Sequence, residues 1–146
     1  RCLVPVDGFY EWVPVPGRRR KQPHYLRAHD ARPLALAGLW EEWRDPERPG
    51  HPSLVSCTIL TGPPNTVVAP LHDRMPIILD RPDWEPWLDP DIDDVDLLTA
   101  LCVPAPDDLL ETWPVSTAVN DVHRHDSTLL ERVAADVDVE GQARLF

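Results

Sequence analysis

Two residues of this chain have side chains suited to moving protons, Glu11 and His72, and Arg74 follows the second as a group suited to holding a phosphate. Glu11 stands in the apolar run Gly8-Phe9-Tyr10-Glu11-Trp12-Val13, where an acid has no structural reason to be unless it is paired or used. Burial there would raise its pKa and make it a proton donor or acceptor near neutral pH. The plain alternative is an acid on the exposed face of a strand. His72 opens His72-Asp73-Arg74-Met75-Pro76 at an element boundary, where side chains commonly project into a site, and an imidazole exchanges protons near pH 7. Its plain alternative is a surface or capping histidine. The Arg74 fork could bind two phosphate oxygens at once, or equally form an ion pair with Asp73 or Glu11.

Several other chemistries have no foundation in the residues. There is no Gly-rich phosphate loop, nucleophile elbow or HExxH. The three cysteines, Cys2, Cys57 and Cys102, form no CxxC pair, so neither a disulfide framework nor a zinc site is indicated and a reducing cytoplasm fits. The acidic run over 89–96 lacks the turn glycine and closing glutamate of a calcium loop. No metal and no cofactor are therefore expected. The net charge of −11 would weigh against a nucleic-acid partner, but it is divided unevenly, +2 over residues 1–48 and −13 over residues 49–146. An anionic ligand should meet the first third of the chain and isolated cations such as Arg74.

The elements that must position these groups are short. Eighteen prolines against six glycines oppose long helices, and 42% apolar residues with six tryptophans suffice for a core, so 146 residues read as one β-rich domain with small helices. Residues 1–13 read as extended chain turned at Asp7-Gly8. The run Arg18–Lys21 is a basic turn, either a solvated loop or a neighbour of a DNA backbone. Strands are expected at His24–His29 and Leu34–Trp43, with a buried strand at Leu54–Thr61. Asn65 should cap a short helix through Ala69 that delivers His72-Asp73-Arg74 into a strand at Ile77–Leu79. Asp83–Leu88 reads as helical with Trp84 and Trp87 on its core face, followed by a second helix, Leu97–Cys102, with an acidic start. Trp113–Val119 reads as a strand, Leu129–Ala135 as weakly helical, and the last ten residues as a frayed end. No segment reaches the roughly 18 apolar residues that span a bilayer.

Across almost its whole length the chain resembles the SOS-response-associated peptidases, the abasic-site processing family. Arg1-Cys2-Leu3-Val4-Pro5-Val6-Asp7-Gly8-Phe9-Tyr10-Glu11-Trp12 resembles that family's opening signature here. Five further blocks keep the family's order: Lys21–Tyr25, Ala37–Glu41, Ser56–Thr61, His72–Pro76 and Val115–Asn120. The resemblance implies an α+β, β-rich fold, a barrel-like antiparallel core with short peripheral helices, from which the family's N-terminal part is missing. It implies covalent capture of abasic sites in single-stranded DNA by an N-terminal cysteine, whose α-amine and thiol close a thiazolidine ring on the sugar aldehyde, together with an autoproteolytic peptidase step.

By the same resemblance Glu11 and His72 are the catalytic residues, Arg74 holds a phosphate beside the lesion, and Thr61 and Asn65 line the pocket. The expected partner is abasic single-stranded DNA bound by a monomer in the cytoplasm, at the nucleoid. Cys2 matches a cysteine inside a structural strand, and the family's nucleophile is expected to be absent from this chain. Two rivals stay open: a non-catalytic remnant that binds single strands or nothing, and a hydrolase using Glu11 and His72 with a water or a metal.

Overall fold

A computed structural model describes residues 1–48 and 50–134. Its strands are β1 (Cys2–Val6), β2 (Phe9–Val13), β3 (Gln22–Ala28), β4 (Leu34–Trp43), β5 (Leu54–Ile59), β6 (Thr61–Gly62), β7 (Met75–Pro76) and β8 (Leu110–Pro114). Two short helices, α1 (Arg81–Leu88) and α2 (Val95–Ala100), lie between β7 and β8. Every strand pairing is antiparallel, in two three-stranded sheets ordered β1-β4-β5 and β2-β3-β8 and a two-stranded clip, β6-β7. The architecture is the β-rich α+β arrangement expected.

The turn at Asp7-Gly8 does not fold β1 back on β2. It carries the chain from one sheet to the other, since β1 pairs with β4 and β2 with β3. Gly8 is needed there, because a Cβ would lie 2.4 Å from both the Leu26 carbonyl oxygen and the Tyr25 hydroxyl. Side chains alternate across a strand, so each sheet has two distinct faces. Val4 and Val6 of β1, Leu34 and Leu36 of β4, and Leu26, Ala28 and Leu110 of the second sheet form one apolar cluster between the sheets. On the outer face of the first sheet, Leu3 and Ala37 meet Ile77, Leu79 and the α1 tryptophans, with Trp87 only 2% exposed. The outer face of the second sheet carries Tyr10, Tyr25 and Trp113 in edge and tilted ring contacts.

Several expectations need correction. β5 is exposed along its whole length, Leu54 at 61% and Val55 at 63%, instead of buried; it is the free edge of its sheet. Its apolar composition suits a central strand, but strand order is set by distant partners and leaves no local trace. Asn65 does cap, its Oδ1 accepting from Val68 N at 3.0 Å, yet the segment it opens is a run of hydrogen-bonded turns and not a helix. The strand expected over Ile77–Leu79 begins earlier, at Met75, and continues as a bridge from Ile78 to Leu36. Trp113–Val119 is not one strand. β8 ends at Pro114, and Thr117–Asn120 is a 3-10 helix, because the Ser116 hydroxyl accepts from Ala118 N and draws the backbone out of the extended form. Ser127–Leu130 forms a second 3-10 turn capped by Asp126, in place of the helix expected over Leu129–Ala135. Ala135 and the last ten residues lie outside the described residues.

Candidate active site

β2 and β3 pair with Glu11 opposite His24, Phe9 opposite Leu26 and Val13 opposite Gln22. These residues therefore share one face of the sheet, the face on which Phe9, Leu26 and Ala28 join the core. Glu11 thus points toward the interior side of the sheet, not toward bulk solvent. Burial raises its pKa above the ordinary glutamate value, and the charges of His72 and Lys21 pull it partly back down. A raised carboxyl is a better proton donor than an ordinary glutamate, the direction that general acid catalysis uses.

His72 reaches this neighbourhood through the turns that follow Asn65, with its backbone N–H bonded to the Val68 carbonyl at 3.0 Å. In the neutral ring Nδ1 accepts from the Arg74 backbone N–H at 3.0 Å, which leaves Nε2 as the proton carrier. Once protonated, Nδ1 has the Asp73 carboxylate at 3.2 Å and the Arg74 carbonyl oxygen at 3.1 Å as acceptors. Nδ1 therefore has a partner in both charge states, a property suited to passing a proton on.

The β6-β7 clip sets Thr61 opposite Pro76, and so brings it beside the residue before Met75. Arg74 Nε donates to Thr61 Oγ1 at 2.8 Å, and Arg74 Nη2 donates to the Thr61 carbonyl oxygen. The ion pairs considered for Arg74 with Asp73 or Glu11 do not form among the described residues. The exposed guanidinium is held by neutral oxygens and keeps its full charge for a ligand.

Glu11, His72, Arg74 and Thr61 are thus linked, the first pair electrostatically and the others by direct bonds. Asn65 is not among them. It is 7% exposed, and its Nδ2 donates to the Ala105 and Pro106 carbonyls at 3.1 and 3.3 Å, which pins the turn to the loop after α2. Cys2 stands in β1 as expected, its thiol packed against Gly38 and its carbonyl accepting from Trp87 Nε1 at 2.9 Å.

Lys21, read from the sequence only as part of the basic turn, acts on the Glu11 carboxyl by its charge, and His24, not singled out from the sequence, stands opposite Glu11 in the β2-β3 register. Lys21 also lines an open depression of about 730 Å³ with Arg20, Trp12, Ser116 and Thr117. Trp12 Nε1 donates to Asn120 Oδ1 at 2.9 Å across it, which ties the Glu11 strand to the Val115–Asn120 segment. The basic turn therefore contributes Arg20 and Lys21 to a concave surface. A larger groove of about 810 Å³, between the β3-β4 turn and the start of α1, includes none of Glu11, His72 or Arg74. Among the described residues, no group of three or more His, Cys, Asp or Glu is arranged to hold a metal ion, and no helix is long and apolar enough to cross a membrane.

Comparison with known proteins shows the family and the fold. The model of the SOS response associated peptidase (SRAP) family matches residues 1–122. The chain is 38% identical over 131 residues to the abasic site processing protein YoqW of Bacillus subtilis, covering 90% of this chain and 57% of that protein. It is 33% identical over 162 aligned positions to the abasic site processing protein HMCES of Gallus gallus, covering 98% of this chain and 46% of that one. The chain thus spans about half the length of the curated relatives it matches. A crystal structure from Bacteroides thetaiotaomicron superposes with a TM-score of 0.80 at 23% identity, over 90% of this chain and 56% of that one, and supports the fold. A second, from Bordetella bronchiseptica, gives 0.65 at 26% identity over 78% and 54%. The chain belongs to the SOS response associated peptidase family.

Proposed function

We propose that this chain carries the proton-transfer and phosphate-holding part of a site that processes abasic sites in single-stranded DNA, acting on the nucleoid DNA of the cytoplasm. The observation that carries the reading is the approach of Glu11 and His72, 61 positions apart in sequence, close enough for the His72 charge to act on the Glu11 carboxyl. Its relatives are abasic site processing proteins, and they supply the substrate class of the reading.

In this reading the target is the ring-opened sugar, whose aldehyde is attacked by the α-amine and thiol of one cysteine. Opening the sugar, expelling water from the carbinolamine and closing the thiazolidine each move a proton at carbon-bound oxygen or nitrogen. His72 serves the sugar oxygen and Glu11 the amine and its carbinolamine, while Arg74 and Thr61 hold the adjoining phosphate. Cys2 lies within β1 with its thiol packed against Gly38, so the reading does not assign the attack to it. The family's autoproteolytic step, in which the same cysteine would be exposed, would draw on the same two proton carriers. A monomer suffices, since all four groups come from one chain.

Fluorescence anisotropy with abasic single-stranded, intact single-stranded and duplex oligonucleotides tests the binding half of the reading. The abasic single strand should bind tightest, and Arg74→Ala should weaken it. Equal binding of all three, unchanged by the substitution, would remove Arg74 from the site.

A further inference from the structure

β1 runs beside β4 only from Leu34 to Gly38, whereas β4 continues to Trp43 with β5 as its neighbour. The first sheet thus narrows to a two-stranded ribbon, and its inner face changes character at Gly38. Leu34 and Leu36 on that face are buried between the sheets, but Trp40, on the same side of the strand, is 54% exposed. Cys57, directly opposite Trp40, and Val55 and Ile59 on the same face of β5 are exposed as well. The acid on this face, Glu42, is engaged by Arg44 at 2.8 Å. β5 is also a free edge, and Leu54–Ile59 contains none of the charges or prolines that ordinarily keep an edge strand from pairing. A contiguous apolar face and an open backbone edge on one ribbon are what a sheet needs to accept a further strand.

The size of the family fold says what the occupant is. The Bacteroides thetaiotaomicron structure matches 90% of this chain with 56% of its own length, and YoqW is covered over 57%. The same fold therefore carries, in those proteins, a further body of polypeptide comparable to the part shared here. We propose that the inner face and free edge of the β4-β5 ribbon are the docking surface for such a body, the portion of the family fold that this chain does not cover. An extended segment of it adds to β5 through main-chain hydrogen bonds and seats apolar side chains against Trp40, Val55 and Ile59. β5 leads through Leu60 into Thr61, the residue that grips Arg74, so the docked segment adjoins the phosphate-holding end of the candidate site. The proposal deepens the reading of that site by naming the polypeptide that completes it, and rests on that reading.

The test is co-expression of the full chain with the uncovered portion of YoqW as a separate polypeptide, followed by co-purification and amide hydrogen exchange of the chain alone and in the complex. The two should purify together, and the Leu54–Ile59 amides should exchange about tenfold more slowly or less in the complex. Val55→Glu, at a position exposed in the chain alone, should weaken the complex by about tenfold or more, because docking buries an unpaired charge. Leu54→Glu, on the opposite face of β5, should weaken it far less. A folded chain that captures nothing, a complex with the β5 amides unprotected, or equal loss from both substitutions overturns the proposal. So does protection of β5 in the chain alone with a dimer by analytical ultracentrifugation, which would make a second copy the occupant. If the separate YoqW portion is insoluble, the exchange of Leu54–Ile59 with that portion fused ahead of Arg1 decides. No DNA is present in these measurements, so failure of abasic-site capture leaves the docking surface standing, and an unprotected β5 in a fusion that still captures DNA removes the surface alone.

Discussion

Arg74 is held to Thr61 by its Nε, 2.8 Å from the threonine hydroxyl oxygen, and by a second bond from Nη2 to the threonine carbonyl. Neutral oxygens orient the guanidinium without spending its charge, and the β6-β7 pairing fixes both residues in one short clip. Arg74→Ala should therefore weaken single-strand binding and reduce the steepness of its dependence on salt, by about 0.7 in the slope of log affinity against log salt for one lost phosphate contact. Binding curves over a range of ionic strength measure this. An unchanged slope would make Arg74 a structural strut for the clip.

Glu11 also carries a signature in stability. Because burial holds its pKa above the unfolded value, the folded state binds that proton more tightly than the unfolded one. The associated stabilisation is fully present below the ordinary glutamate range and is lost as pH rises through the raised folded value. Once ionised, the carboxylate is thus a cost, offset in part by His72 and Lys21. Glu11→Gln should melt higher than wild type at pH 7, and the advantage should vanish on acidification below the usual carboxylate range. Thermal melts of both proteins across pH check the sign, and a glutamine variant less stable at pH 7 would place Glu11 in a favourable ion pair instead.

Asn65 serves the frame. Its amide satisfies Val68 N, Ala105 O and Pro106 O from a buried position, so Asn65→Ala leaves these groups unpaired. A loss of about 2 kcal/mol in unfolding free energy follows, with little change in single-strand affinity of the folded fraction. Denaturant unfolding and anisotropy on the same variant separate this from a pocket role, in which affinity would fall and stability would not.

The legible part of this molecule was local. The alternation in Leu34–Trp43 marked β4 to the residue, and the tryptophan spacing marked the core face of α1. Asn65 was readable as a cap because capping is decided within three residues, whereas its burial was set by the Ala105-Pro106 carbonyls forty positions away. The exposure of β5 depends on strand order, which nothing in Leu54–Ile59 records. The same holds for the site. Glu11 and His72 stood out by residue type and by family resemblance, but the place of His24 opposite Glu11 comes only from the β2-β3 register. Trp113–Val119 misled because its alternation suits one strand, while one serine hydroxyl bonded to the backbone decides for a 3-10 turn after Pro114.

The most direct measurement is a denaturing gel of protein incubated with an abasic single-stranded oligonucleotide. The chain as given should yield no heat-stable shifted band, because none of its cysteines joins a free α-amine to its thiol. A fusion carrying, ahead of Arg1, the N-terminal portion of a family member with the amino-terminal cysteine that the family reading requires should yield one, and Glu11→Gln in that fusion should diminish it by about a hundredfold in rate, the scale of one general acid and base. A band from the chain alone that disappears in Cys2→Ala, or a fusion band formed at full rate without Glu11, would contradict the account.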